Sequence, residues 1–321
     1  MNAHRIFAIA TLALTAFACP PGRAGMIVEV QDPRQIAQQQ QVIFPQAEVK
    51  VVAFEFESAS GDERGKQLAK GLHDQFLAKI QYLPGGAIVT YVAKPGEKIQ
   101  SYRVTVEQAA RQQKAQIAVW GRVLADAKGA VRTNMRITLI ERPPGISAEY
   151  ANTAQRAARA PVSTRGVIDA PVTQTRIDFT TVAGDISPLA NFLSGLVRYY
   201  KGSARDGAVA SRWLNGSVVD FRKYLAAVDE KADMSAAAQA HLYLARALVR
   251  LAAVDKANSA TLLGRAKDDA DQAARLNAYD AEAPTVQAVI AARMNAPAAL
   301  TQSYLSKAIA AAPLDSTARV N

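Results

Sequence analysis

The pattern of apolar residues changes once along this chain, near residue 185, and that change limits the folds open to it. Upstream, runs of β-branched and aromatic residues alternate with helical stretches. Downstream, the sequence is alanine-rich and keeps a helical period. Mixed elements followed by helices alone predict two folded parts, an α/β part over 47–185 and an all-α part over 186–321. The 321 residues are long enough for both. One cysteine excludes an intrachain disulfide and a cysteine-based zinc site. The three histidines, His4, His73 and His241, argue against a His-rich metal enzyme.

Within the first part, residues 48–56 (EVKVVAFEF) predict a buried strand. Ser60, with Glu63 three residues later, reads as a capping box opening a helix. Leu68, Leu72, Phe76 and Ile80 form its core stripe, closed by Pro84-Gly85-Gly86. Residues 87–93 (AIVTYVA) predict a second strand. Thr105 and Gln108 open a second helix, running through Lys114, and residues 116–124 (QIAVWGRVL) predict a third strand. Residues 131–140 and 173–182 alternate apolar and polar and are expected to pair as antiparallel neighbours. The expected order is β-α-β-α-β-β-β.

EVKVVAFEF, then GDERGKQLAKGLHDQFLAKI, then AQIAVWGRV before another strand, resembles the TolB amino-terminal-type domain of envelope lipoproteins. Those include activators of peptidoglycan synthases and the curli secretion lipoprotein. Gly71 matches the glycine midway along the family's first helix, and Gly121 matches the glycine in its Ala115–Val123 segment. About 100 residues carry the likeness, which speaks to fold more than to function. The stretch 143–171 departs from the family pattern and carries Arg156, Arg159 and Arg165. It reads as a disordered insertion or, alternatively, as a partner-binding loop.

In the second part, Ser187 and Pro188 mark a helix start. Residues 273–283 align with 308–318 at an offset of 35, close to the period of about 34 in tetratricopeptide repeats. The segment AIAAAPLDSTA also resembles the ending of such repeats. About three helical hairpins follow: 189–200 with a helix to about 228, 236–251 with 262–276, and a third from Pro284. The fold class expected is therefore α+β: a small mixed sheet with two helices on one face, then an all-α tetratricopeptide-like array. Leu244, Leu248 and Leu251 should face the core. Tyr243, Arg246 and Arg250 then lie on another face, either for an acidic or C-terminal carboxylate partner or as a solvated face with snorkelling arginines.

The N-terminus reads as an export leader over 1–18, with Arg5 before an uncharged apolar run from 6 to 18. Ala16-Phe17-Ala18 precedes Cys19 and resembles a lipobox, although Ala16 stands where Leu is usual. Cys19 is then either the lipidated first residue or an incidental cysteine behind an ordinary cleavage site. Residues 19–46, with Pro20-Pro21-Gly22 and four glutamines at 38–41, read as a flexible tether.

Several chemistries lack their residues. Residues 60–67 have a P-loop's strand-to-helix context, but Ser60 replaces its first Gly and Gln67 its Ser/Thr. Asp62 and Glu63 would also repel phosphate. G-x-S-x-G, H-E-x-x-H and S-x-x-K are absent. The net charge of +10 is concentrated early: +5 over 46–145 and +3 over 146–216, against +1 over 217–321. These features predict a non-catalytic envelope lipoprotein without cofactor, facing the periplasm from the outer membrane. It would scaffold or regulate an assembly through envelope proteins, and its basic first domain suits an anionic polymer or membrane surface rather than nucleic acid. A subunit of an oligomeric export channel is the alternative, and a nucleotide-binding enzyme a distant one.

Overall fold

The structure, a computed structural model, describes residues 26–30, 49–80, 86–91, 103–125, 131–140, 176–182 and 185–311. Its strands are β1 (Met26–Val30), β2 (Val49–Phe54), β3 (Glu57–Ser58), β4 (Gly86–Tyr91), β5 (Ile117–Ala125), β6 (Val131–Leu139) and β7 (Arg176–Val182). Two helices lie among them, α1 (Glu63–Ile80) and α2 (Arg103–Gln112). Six follow: α3 (Ser187–Ser203), α4 (Gly207–Ala227), α5 (Met234–Val254), α6 (Ser259–Leu276), α7 (Glu282–Arg293) and α8 (Ala298–Ala311). The mixed α and β content and the succession of the expected elements agree with the sequence. The strand β1 was not expected: it occupies part of the stretch read as tether.

The sheet order is β1-β4-β2-β5-β6-β7, with β3 also paired to β5. The first four run parallel; β6 and β7 are antiparallel, with Arg136 opposite Asp178. Ala53 pairs with Val119 and Glu57 with Arg122, so one extra residue lies between β2 and β3. That bulge reverses the inside–outside alternation. It puts Phe56 on the same side as Val51 and Ala53.

The two helices lie on opposite faces, which corrects the one-face expectation. Leu72 and Phe76 of α1 pack with Val51, Ala53, Val119 and Ile137. Val106 and Ala110 of α2 pack instead with Val52, Phe54, Ala118 and Trp120. Connectivity explains this. The chain steps from β2 to β4 in one direction, then from β4 back across β2 to β5, and right-handed crossovers in opposite directions cover opposite faces.

Neither expected serine caps its helix: Asp62 takes the place of Ser60, and α3 has Ile186 at its cap with no side-chain cap hydrogen bond. Asp62, not Ser60, accepts from the Gly65 N–H at 2.6 Å, and Asp185 accepts from the Ser187 N–H at 2.8 Å. A carboxylate at a helix start also meets the positive end of the helix dipole. The second helix begins at Arg103, so Thr105 sits inside it rather than at its cap.

Helices α3 and α4, α5 and α6, and α7 and α8 form three hairpins, and α5 touches both α3 and α7. The first helices of the hairpins start at 187, 234 and 282, spacings of 47 and 48, longer than a tetratricopeptide period. The offset of 35 survives only between the ends of α6 at Leu276 and α8 at Ala311. Residues 312–318 of that alignment lie outside the described residues.

The inner helices are not left open. Helix α5 touches β7, and α3 touches β2 and α1. Phe179 of β7 packs edge-on against Phe192 at 5.0 Å and Tyr224 at 5.8 Å. One apolar cluster therefore runs from Val51 through Phe179 to Val289 of α7.

Candidate functional site

Helix α5 collects most of the polar chemistry of the array. Seven alanines among its buried residues keep its cross-section small, so neighbours close on it from all sides. That packing places the predicted partner-binding residues. Tyr243 is only 1% exposed, stacks against Phe221 and stands edge-on to Tyr199. Arg246 is 2% exposed, donates to Glu282 at 2.9 Å and lies 5.2 Å from the Tyr243 ring. Arg250, half-buried, donates to the Ser203 carbonyl at 3.2 Å. The three were expected on an open face and instead tie α5 to α3 and α7. The leucine stripe was legible from spacing, but burial of the opposite side depends on helices distant in sequence.

A carboxylate–imidazole–carboxylate cluster forms on the outer side of the same helix. Nδ1 of His241 lies 2.8 Å from Asp269 of α6, and Nε2 lies 3.3 Å from Glu230, which precedes α5. The second Glu230 oxygen accepts from Gln272 Nε2 at 3.0 Å. Burial alone would lower the His241 pKa, but hydrogen bonds and charge from Asp269 and Glu230 outweigh it and raise the value. The His241 side chain thus holds the α4–α5 connection to the α5–α6 hairpin. Sequence offered no sign of it, since the partners sit 11 and 28 residues away. Among the described residues, no group of three or more His, Cys, Asp or Glu could hold a metal ion.

Other polar side chains are used similarly. Asp220 accepts from Ser194 at 2.5 Å and pairs with Arg198 at 2.9 Å, joining α3 to α4. Asp280 accepts from the Glu282 N–H at 2.8 Å and from Gln239 at 2.9 Å. Burial raises its pKa, against the pull of those bonds.

His73 is different in kind. It is 4% exposed, stands edge-on to Phe56 at 4.8 Å, and has no hydrogen-bond partner for either ring nitrogen among the described residues. Burial lowers its pKa to about 4, despite the opposing charge of Asp74, so it is neutral near pH 7. A neutral ring against an aromatic is packing rather than acid–base machinery.

In the P-loop-like turn, the Gly65 N–H is taken by Asp62 and the Gly61 N–H by Ser58 Oγ at 3.2 Å. Phosphate would find these donors occupied. Cys19, Arg156, Arg159 and Arg165 lie outside the described residues, as does the 143–171 stretch. No helix of the described residues is long and apolar enough to cross a membrane. No protein-family model, curated protein or solved structure matches this chain.

Proposed function

We propose that this chain is a non-catalytic bacterial envelope lipoprotein, held at the outer membrane and facing the periplasm, which scaffolds or regulates an envelope assembly through protein contacts. The observation that carries this reading is the arrangement at the N-terminus: Arg5, an uncharged apolar run, and Ala16-Phe17-Ala18 before the only cysteine. Support comes from the way polar groups are used. The imidazole, carboxylate and guanidinium groups clustered in the array join one helix to another. The TolB-type resemblance of the first part and the tetratricopeptide-like reading of the second both belong to this proposal. Stacked hairpins and a mixed sheet are the architectures these would require. Because the inner helices lean on the sheet, a partner would meet the outer helices α4 and α6 or the basic α/β part.

The export-channel alternative has less support. Strands β6 and β7 would have to face lipid, yet Met135, Ile137, Ile177 and Phe179 are buried between sheet and helices. Radiolabelled palmitate tests the leading reading: label should enter the wild-type chain and be lost in Cys19→Ser. Label retained in the variant overturns it. Cross-linking in intact cells would then identify the protein partner.

A further inference from the structure

Strand β1 shortens the span between Cys19 and the folded sheet to seven residue steps, from 19 to Met26. Fully extended, those steps reach at most about 25 Å. The place where they arrive is defined by register. Met26 lies level with Ala87, and Ala87 with Lys50, so Lys50 is two strands away, about 10 Å. The same level continues through the Gln116 N–H, which donates to the Lys50 carbonyl at 3.0 Å, and the Ile140 N–H, which donates to the Gln116 carbonyl at 2.8 Å. This is the end at which the parallel strands begin.

Cations gather there. Helix α2 finishes just before Gln116, with Arg111 in its last turn and exposed. Lys114 follows, also exposed, in a left-handed backbone conformation at φ 52. Lys50 is half-buried; burial and then repulsion from Lys114 hold its pKa below the ordinary lysine value. The exposed Arg111 and Lys114 present positive charge to an anionic surface outside the protein. Glu48 and Glu141 adjoin this end in sequence and lie outside the described residues.

We propose that this end of the sheet faces the membrane and that Arg111 and Lys114 rest on anionic phospholipid headgroups. The inference rests on the proposed acylation of Cys19. Charge complementarity selects the occupant, and the short span limits how far the surface can lie from lipid. Two cations bind headgroups only weakly and within a Debye length, but an anchored domain needs little affinity because its local concentration is high.

The acylated full-length chain, reconstituted into phosphatidylcholine vesicles with or without phosphatidylglycerol, provides the test. With Cys19 acylated, a cysteine introduced as Gln112→Cys or Leu124→Cys is the sole free thiol for a fluorophore. Gln112 ends α2, whereas Leu124 is 46% exposed and seven residues beyond Ile117, about 23 Å along β5. Nitroxide-labelled headgroups should remove most of the emission at 112 and leave that at 124. The loss at 112 should deepen with phosphatidylglycerol and be relieved by Arg111→Glu with Lys114→Glu. Equal quenching at both positions overturns the inference, and so does quenching at 112 that ignores both phosphatidylglycerol and the charge reversals. A chain found by mass spectrometry to carry no acyl group overturns the lipoprotein reading together with this one. An acylated chain with equal quenching overturns only the orientation.

Discussion

Two histidines tilt stability in opposite directions with pH. For His73, the folded pKa of about 4 lies below the unfolded value of 6.5. As pH falls from about 6.5, the unfolded chain takes a proton first, and stability drops until about pH 4, by about 3 kcal/mol in all. His73→Leu should narrow the difference between urea midpoints measured near neutrality and at about pH 4.5. His241 has a raised folded pKa, so its contribution is complete below the unfolded value and disappears as pH rises through the folded one. His241→Gln should remove that decline on the alkaline side, and an imidazole NMR titration of the wild type should show the raised value directly. Two glycines make a second contrast. A Cβ at Gly121 would meet the Met135 sulfur and approach the Asn134 carbonyl to 2.6 Å, whereas one at Gly71 would meet nothing within 4 Å. Gly121→Ala should cost about 1–3 kcal/mol by overpacking. Gly71→Ala should instead stabilise the helix, by about 0.5–1 kcal/mol in thermal or urea melts.

At the scale of elements, α5 shows best what the sequence could and could not reveal. Its helical period and its leucine stripe are local, and both were legible. That Arg246 meets Glu282, 36 residues later, depends on how hairpins stack, which no local pattern encodes. Glu282→Ala takes the carboxylate acceptor at 2.9 Å from the buried Arg246 guanidinium and should cost about 3–5 kcal/mol, while Arg246→Met with Glu282→Leu should recover much of it in a double-mutant cycle. Similar limits apply elsewhere. MIVEV at 26–30 has a strand's composition, but flanking Pro and Gln concealed it, and its partner β4 lies some 60 residues on. The faces occupied by α1 and α2 followed from strand order, which strand-by-strand reading does not supply. The Asp62 cap was missed because Ser and Asp compete for the same role when adjacent to a helix start.

Across the whole molecule, Phe179 joins the sheet to the array, so the two should not come apart independently. The tryptophans provide one reporter in each: Trp120 in β5 and Trp213 in α4. Single-tryptophan variants Trp120→Phe and Trp213→Phe should report coincident denaturation midpoints. Separate midpoints would show that the shared core does not couple them. Phe179→Ala should lower both together, by about 3–5 kcal/mol. The edge strand β1 adds an element of timing. On the proposed reading it leaves the export channel first, yet it has nothing to pair with until Gly86–Tyr91 has followed. On that reading, an interval of some 60 residues of synthesis separates the emergence of β1 from that of its partner, and chemistry at Cys19 has that interval in which to precede strand pairing.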